Sequence, residues 1–221
     1  VNVINDWVSK ATQGLIPSVV DELDPDLALL LVNAVYFKGD WTTPFDKALT
    51  LERPFHPAAG PSRPVSMMRR SGTIDYFQDE AVQAVRLPYG KDERVAMYVF
   101  LPHAGSNVRD VVASWSPESL EQTFRRFAKR YGEVLLPRID LRYKAKLKDP
   151  LSTLGMSTAF DAGQADFGRM GPVGPARNFY LGNVLHQSVL QVDEEGTEAA
   201  AVTSIDVRVT SVPVYDFRFE A

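Results

Sequence analysis

Hydrophobic and polar positions alternate in several distinct rhythms along this chain, and each rhythm predicts an element. Residues 3–10 place Val3, Trp7, Val8 and Ala11 near one side of a helix, with Gly14 as its stop. Residues 27–37, LALLLVNAVYF, are apolar almost throughout. That run predicts a central strand covered on both faces, with a buried helix as the rival. Asn33 sits in its middle and needs a hydrogen-bond partner. Short strands follow at 64–68, 73–77, 81–87 and 95–101, the last two forming a hairpin through Gly90 and Asp92. A helix at 108–115 precedes a second that Ser116 caps and Pro117 leads, running through Phe127. Residues 132–147 read as a strand pair or one bent strand, with Pro137 at an edge or bulge. Asp149 is expected to cap a helix that Pro150 leads and Gly155 stops, and a Gly- and Pro-rich loop crosses 163–176. Residues 180–192 form another long strand. Many strands with a few helices between them, and no internal repeat, give an α+β class.

The stretch 194–211, EEGTEAAAVTSIDVRVTS, has a rhythm of its own. From Thr197 it has period two. Thr197, Ala199, Ala201, Thr203, Ile205, Val207 and Val209 carry no charge, whereas the intervening set holds Glu198, Asp206 and Arg208. That is the pattern of a strand with one buried face, yet it opens with small residues that do not favour strands.

The 221 residues are 45% hydrophobic and 24% charged, a globular composition, and the formal net charge of -4 speaks against a nucleic-acid partner. The densest basic run, RRFAKRY at 125–131, reads as a solvated helix end with a polyanion patch as its rival. With no cysteine, disulfides, thiolate metal sites and Cys nucleophiles are excluded. No apolar run approaches the ~20 residues of a membrane span. His56, His103 and His186 lack metal-ligand spacing, and no HExxH, P-loop, GxGxxG or G-x-S-x-G occurs. His186, inside VLHQSVL, reads as a hydrogen-bonded core histidine. No metal, no cofactor and no enzyme activity are the resulting expectations.

The order and wording of these segments resemble the serpin superfamily of serine protease inhibitors. INDWVSKATQGLI (4–16) resembles the end of the family's helix F. LVNAVYFKGDWTTPF (31–45) resembles the third strand of its sheet A and the segment after it, through Asn33, Phe37, Lys38, Gly39, Trp41 and Phe45. VSMM (65–68) and VAMYVFLP (95–102) resemble strands of sheets C and B. LPRIDL (136–141) and LSTLGMSTAFD with ADF (151–167) resemble the segments around strand six of sheet A and helix I. VLHQSVLQVDEEGTEAAA (184–201) resembles strand five running into the reactive-centre loop. The resemblance implies a partial serpin fold: a large mixed sheet A, smaller sheets B and C, and surrounding helices. Residues 1–221 are then a single partial serpin domain with a reactive-centre loop at 194–217. The family's N-terminal helices and closing sheet B strands are expected to lie outside it, because VNVINDWV has no initiator Met and FRFEA (217–221) resembles a lead-in.

What the resemblance implies for function is an inhibitor without a cofactor, acting as a monomer in an extracellular setting away from membranes. Cleavage of the exposed loop lets it enter sheet A as a new strand. The hinge is Glu194, Glu195, Gly196, Thr197, Glu198, Ala199, Ala200 and Ala201. Small inward residues ease entry, Gly196 acts as the pivot, and Ile205, Val207 and Val209 together gain roughly 5–9 kcal/mol on burial. Counting forward from Glu194 puts the reactive bond at Thr210–Ser211, while counting back from Phe219 points to Ser211. Thr210 suits an elastase-like or subtilisin-like serine protease, and Arg208 is the alternative for a trypsin-like one. The sheet-opening region takes in Asn33, His186, Trp41, Arg138 and Glu194, with Arg138 paired to Glu194 and Asn33 to His186. The alternative function is a non-inhibitory serpin: a chaperone, carrier or protease substrate. Its known hinges tend to carry bulky or charged residues, and the inward hinge positions here carry none.

Overall fold

In chain order the elements are α1 (Asn2–Ala11), β1 (Leu29–Val35), β2 (Gly39–Asp40), β3 (Leu51–Phe55), β4 (Arg63–Gln78), β5 (Val82–Tyr89), β6 (Val95–Pro102), α2 (Val108–Ala113), α3 (Pro117–Arg125), β7 (Ala128–Pro137), β8 (Ile139–Lys146), α4 (Lys148–Leu151), β9 (Leu181–Val192), β10 (Gly196–Thr197) and β11 (Phe217–Glu220). The structure, a computed structural model, describes residues 1–24, 27, 29–57, 59–171, 179–197 and 214–221. It divides into two compact units, Val1–Phe37 with Asp140–Leu190 and Lys38–Ile139 with Gln191–Ala221.

The first unit is built on a three-stranded sheet of order β1-β9-β8. β1 and β9 run parallel, from Leu29 opposite Leu181 to Val35 opposite Ser188. Helix α1 covers one face of this sheet. Its buried side is Ile4, Val8 and Thr12, packed with Ile16, Val19 and Val20 against Leu30, Val32, Ala34, Leu185 and Val189. Of the apolar side expected from the sequence, Val8 is buried as expected, but Val3 is 82% and Trp7 56% exposed and Ala11 is exposed too. The 3, 7, 11 row is adjacent to the 4, 8, 12 row, and contact with the sheet selects the latter. Gly14, at φ 86°, ends the helix with its N–H on the Ser9 carbonyl at 2.8 Å.

β1 is a strand, but it is not covered on both faces. Burial alternates along it, and Leu31, Asn33 and Val35 are exposed. On that opposite face only the Leu29 end is packed, against Leu147, Leu151, Phe160, Phe167, Leu181 and Val184. Asp149 does not cap α4 either. The Leu147 N–H bonds to the Val184 carbonyl at 2.9 Å, so Leu147 stays tied to β9 and becomes the cap.

The second unit holds a six-stranded sheet of order β11-β7-β4-β5-β6, with β3 added on β4. The segments expected as two strands at 64–68 and 73–77 are one, β4, because β7 pairs along it from Met67↔Pro137 to Tyr76↔Ala128. The basic run is not simply a helix end: α3 stops at Arg125, and Ala128–Tyr131 already belongs to β7. The α3 start is as read from sequence. Ser116 Oγ accepts from the Ser119 N–H at 3.2 Å, Ser119 Oγ accepts from the Ser116 N–H at 2.8 Å, and Pro117 leads. α2, capped by Asn107, packs Val111 with Phe77, Val82, Ala84, Phe100, Trp115 and Phe127. The β5–β6 hairpin turns through Gly90, as expected.

Candidate functional site: a docked hinge and a parallel seam

Residues 193–197 carry the first half of the expected hinge. Asp193 Oδ1 accepts from the N–H groups of Glu195 and Gly196 at 2.9 and 3.2 Å, and the Asp193 N–H donates to the Gly196 carbonyl at 2.9 Å. This side-chain-stabilised turn reverses the chain leaving β9. Gly196 and Thr197 then pair antiparallel with Asp40 and Gly39. Gly196 has φ 155°, and a Cβ there would meet the Gly39 carbonyl and lie 2.7 Å from the Asp40 Cα. The sequence suggests a pivot; where it pairs with Asp40, glycine at 196 meets a demand for space.

The shelf under the hinge is aromatic. Trp41 is buried and stacks on Tyr89 with centroids 4.3 Å apart. Its indole N–H donates to the Asp193 carbonyl at 2.9 Å, and its backbone N–H to the Glu195 carbonyl at 2.8 Å. The Phe45 N–H donates to the Glu194 carbonyl at 2.8 Å. Thr197 is buried, and its hydroxyl lies 2.9 Å from the Tyr89 hydroxyl. Burial pushes the Tyr89 phenol up, partly offset by that hydrogen bond.

Two consecutive carboxylates are buried here, and each has a cation. Glu194, 1% exposed, takes Arg138 Nε on both oxygens at 2.9 and 3.1 Å, Arg138 Nη2 at 2.8 Å and the Thr50 hydroxyl at 2.5 Å. Burial works to raise this carboxyl, but the hydrogen bonds from Arg138 and Thr50 and the arginine's charge outweigh it. The group is held below its usual range. Lys47 pairs with Glu195, and that hydrogen bond raises the ammonium above its usual value. The Arg138–Glu194 pair implied by the resemblance is thus present.

In the first unit, Asn33 and His186 are register partners across the β1/β9 seam, and His186 Nδ1 lies 3.1 Å from Asn33 Oδ1. This pair is also present, though on the exposed face of the strand rather than in the core. Glu198, Ala199, Ala200, Ala201, Arg208, Thr210 and Ser211 lie outside the described residues.

Lys47, Thr50, Tyr89 and Asp193 escaped the sequence reading. One signal was there: adjacent carboxylates at the end of an apolar strand demand cations nearby if they are buried. Beyond the loop, β11 lies parallel to β7, from Phe217 opposite Gly132 to Glu220 opposite Leu135. Buried Glu133 accepts from Arg69 Nε at 2.6 Å and pairs with Arg218 at 3.6 Å, and Arg218 pairs with Glu220 at 2.9 Å. Phe217 stacks on Tyr76 at 3.9 Å and covers Gly132, where a Cβ would strike its ring. Among the described residues no group of three His, Asp or Glu side chains is placed to hold a metal.

Comparison with known proteins brings these features together. The chain is 37% identical to human plasminogen activator inhibitor 2, the match covering 90% of this chain and 49% of that protein. Tengpin, a thermophilic serpin solved in its native state, superposes with a TM-score of 0.87 at 28% identity, over 100% of this chain and 56% of that one. Thyroxine-binding globulin, solved with thyroxine, gives a TM-score of 0.81 at 26% identity, over 93% of this chain and 55% of that one. The chain therefore spans about half the length of the relatives it matches. The family model described as Serpin (serine protease inhibitor) matches residues 1–221. Fold, relatives and hinge converge, and the chain belongs to the serpin family.

Proposed function

We propose that the whole protein inhibits serine-type endopeptidases as a suicide substrate whose cleaved loop enters the β1/β9 seam. The observation that carries this reading is the seam itself: β1 and β9 are direct parallel neighbours. A strand antiparallel to one is antiparallel to the other, so the seam accepts a segment that turns back from β9. Residues 197–210 are that segment by chain order. Extended at ~3.3 Å per residue they span about 46 Å, comparable to the 12 residues of β9 at about 40 Å.

The chemistry belongs to the protease. Its serine oxygen attacks the Thr210 carbonyl carbon, the bond to the Ser211 nitrogen breaks, and the new amine leaves with a proton. The protease remains esterified to Thr210. Insertion of 197–210 then competes with hydrolysis of that ester by water. Burial of Ile205, Val207 and Val209, worth roughly 5–9 kcal/mol, favours insertion. The relative named as an inhibitor of plasminogen activator supports the protease partner. Thr210 favours an elastase-like or subtilisin-like enzyme over a trypsin-like one reading Arg208.

The test is incubation of the full-length protein with a panel of serine proteases. An SDS-stable complex, with release of a peptide beginning at Ser211, is expected. Cleavage at that bond with no complex would instead make this a non-inhibitory serpin, in the manner open to a carrier such as the thyroxine-binding relative.

A further inference from the structure

The chain that follows the proposed reactive bond is fixed to the sheet of the second unit within a few residues. Val214 is 89% exposed, but Tyr215 stacks on Tyr131 of β7 with ring centroids 5.8 Å apart. Asp216 is bonded to Tyr131 twice. Its N–H donates to the Tyr131 carbonyl at 2.8 Å, and its Oδ2 accepts from the Tyr131 N–H at 3.1 Å. Arg69 of β4 meets the Tyr215 side chain and donates to Glu133 at 2.6 Å, and Arg218 pairs with the same carboxylate at 3.6 Å.

These contacts build a fixed surface and do not bury it. Tyr131 is 41% exposed, and the side chains of Arg69 and Arg218 are 40% and 52% exposed. The carboxylate that neutralises both guanidiniums, Glu133, is only 5% exposed. Two tyrosine rings and two guanidiniums with their counter-ion beneath them make an aromatic patch rich in hydrogen-bond donors. Tyr and Arg are the side chains that dominate protein interfaces, and groups already held in place lose little freedom on binding.

Chain length says what can reach this patch. Five residues lead from Thr210 to Tyr215, a span of at most about 17 Å when extended. A protease with an ordinary footprint of about 800 Å² covers a disc of roughly 16 Å radius around the bond it attacks. The patch therefore falls at the edge of that footprint, on the Ser211 side of the bond.

We propose that Tyr131 and Tyr215, backed by Arg69 and Arg218, are a docking platform for the target protease, one whose rim on that side is rich in carboxylates and other acceptors. This rests on the inhibitor reading above and adds a second contact to it. The platform selects among proteases that the residue at 210 does not distinguish.

The test is the rate of inhibition against inhibitor concentration, measured with the full-length protein and the serine protease it traps. Tyr131→Ala is expected to raise the half-saturating concentration about tenfold, with the limiting first-order rate and the stoichiometry of trapping unchanged. Tyr131→Phe, which keeps the ring, should recover most of that loss. Tyr131→Glu should do worse than Tyr131→Ala, because it sets a carboxylate against acceptors. A change in limiting rate or stoichiometry would mean that the stack only positions the loop, and it overturns the platform. A Tyr131→Glu variant that outperforms Tyr131→Ala overturns the chemistry assigned to the partner. If the parent traps no protease, the inhibitor reading falls and the platform with it. If the parent traps and Tyr131→Ala matches it at every concentration, only the platform falls.

Discussion

The β4/β7 ladder and the β1/β9 seam are two solutions to strand pairing within one chain. The ladder has ten antiparallel pairs. It buries Met67, Met68 and Ile74 from β4 and Val134, Leu135 and Leu136 from β7. Its one buried charge, Glu133, is held by Arg69 and Arg218. The seam has seven parallel pairs and leaves Leu31 and Val35 half in solvent. Its buried Gln187 oxygen has no partner. Both bury polar atoms, but only the ladder satisfies them. Among the described residues the two pairings thus differ in how completely their buried side-chain polar atoms are paired, as well as in strand number and length.

The largest expected effect is in the ladder. Leu135 is fully buried, so Leu135→Ala should cost about 2–5 kcal/mol and move the urea midpoint of the full-length protein accordingly. A cost below ~1 kcal/mol would mean that the ladder is not the more rigid of the two.

Thr197→Arg comes next. As the first inward residue to enter the proposed seam, an arginine at 197 would have to bury an unpaired guanidinium there. A barrier increase of ~2.7 kcal/mol slows insertion about a hundredfold. The variant should be cleaved at Thr210 yet release active protease, whereas Glu198→Arg should trap nearly as well as the parent. Stopped complexes on denaturing gels decide it: if the two variants behave alike, the inward face is misassigned by one residue.

Glu194→Lys sets two cations together at the hinge. Arg138 is half exposed, so the cost should be roughly 2–3 kcal/mol, below that of a fully buried pair. An early-released hinge is expected to give self-association through loop exchange, visible by size exclusion; a monomer as stable as the parent argues against the pairing's importance.

The smallest effect is pH-dependent. The Glu194 carboxyl is held below its unfolded value of about 4.3, so its contribution is fully present above that pH and is lost as pH falls through the lower folded value. The stability difference between the parent and Glu194→Gln should therefore be constant near neutrality and shrink below about pH 4. Midpoints measured from pH 7 to 3 check it, and a difference that grows on acidification reverses the sign.

Much of the site was legible because its signals were local. The Ser116–Pro117 start and the hairpin at Gly90 follow from short words in the chain, and the Arg138–Glu194 pair, expected from the family resemblance that such words carry, is present. What was not legible depended on partners distant in sequence. The face that α1 buries is chosen by Leu30 and Leu185, not by its own apolar count. Asp149 loses the cap because Leu147 is tied to Val184. The openness of one face of β1 cannot be read from LALLLVNAV, which would look the same with both faces packed. Tyr89 and Thr50 joined the hinge through strand pairing and turns that no nearby residue announces.

The position of Trp41 has an optical consequence. The chain has three tryptophans, and they occupy different surroundings: Trp41 is 4% exposed on the hinge shelf, Trp7 is 56% exposed on α1, and Trp115 is half-buried. An iodide quencher reaches Trp7 and not Trp41, so the residual emission comes chiefly from Trp41 and the half-buried Trp115. If residues 193–197 leave this shelf, as the proposed mechanism requires, the Trp41 indole N–H loses the Asp193 carbonyl, and its emission is expected to change colour and intensity. Trp41 emission is therefore a label-free test of that proposed departure.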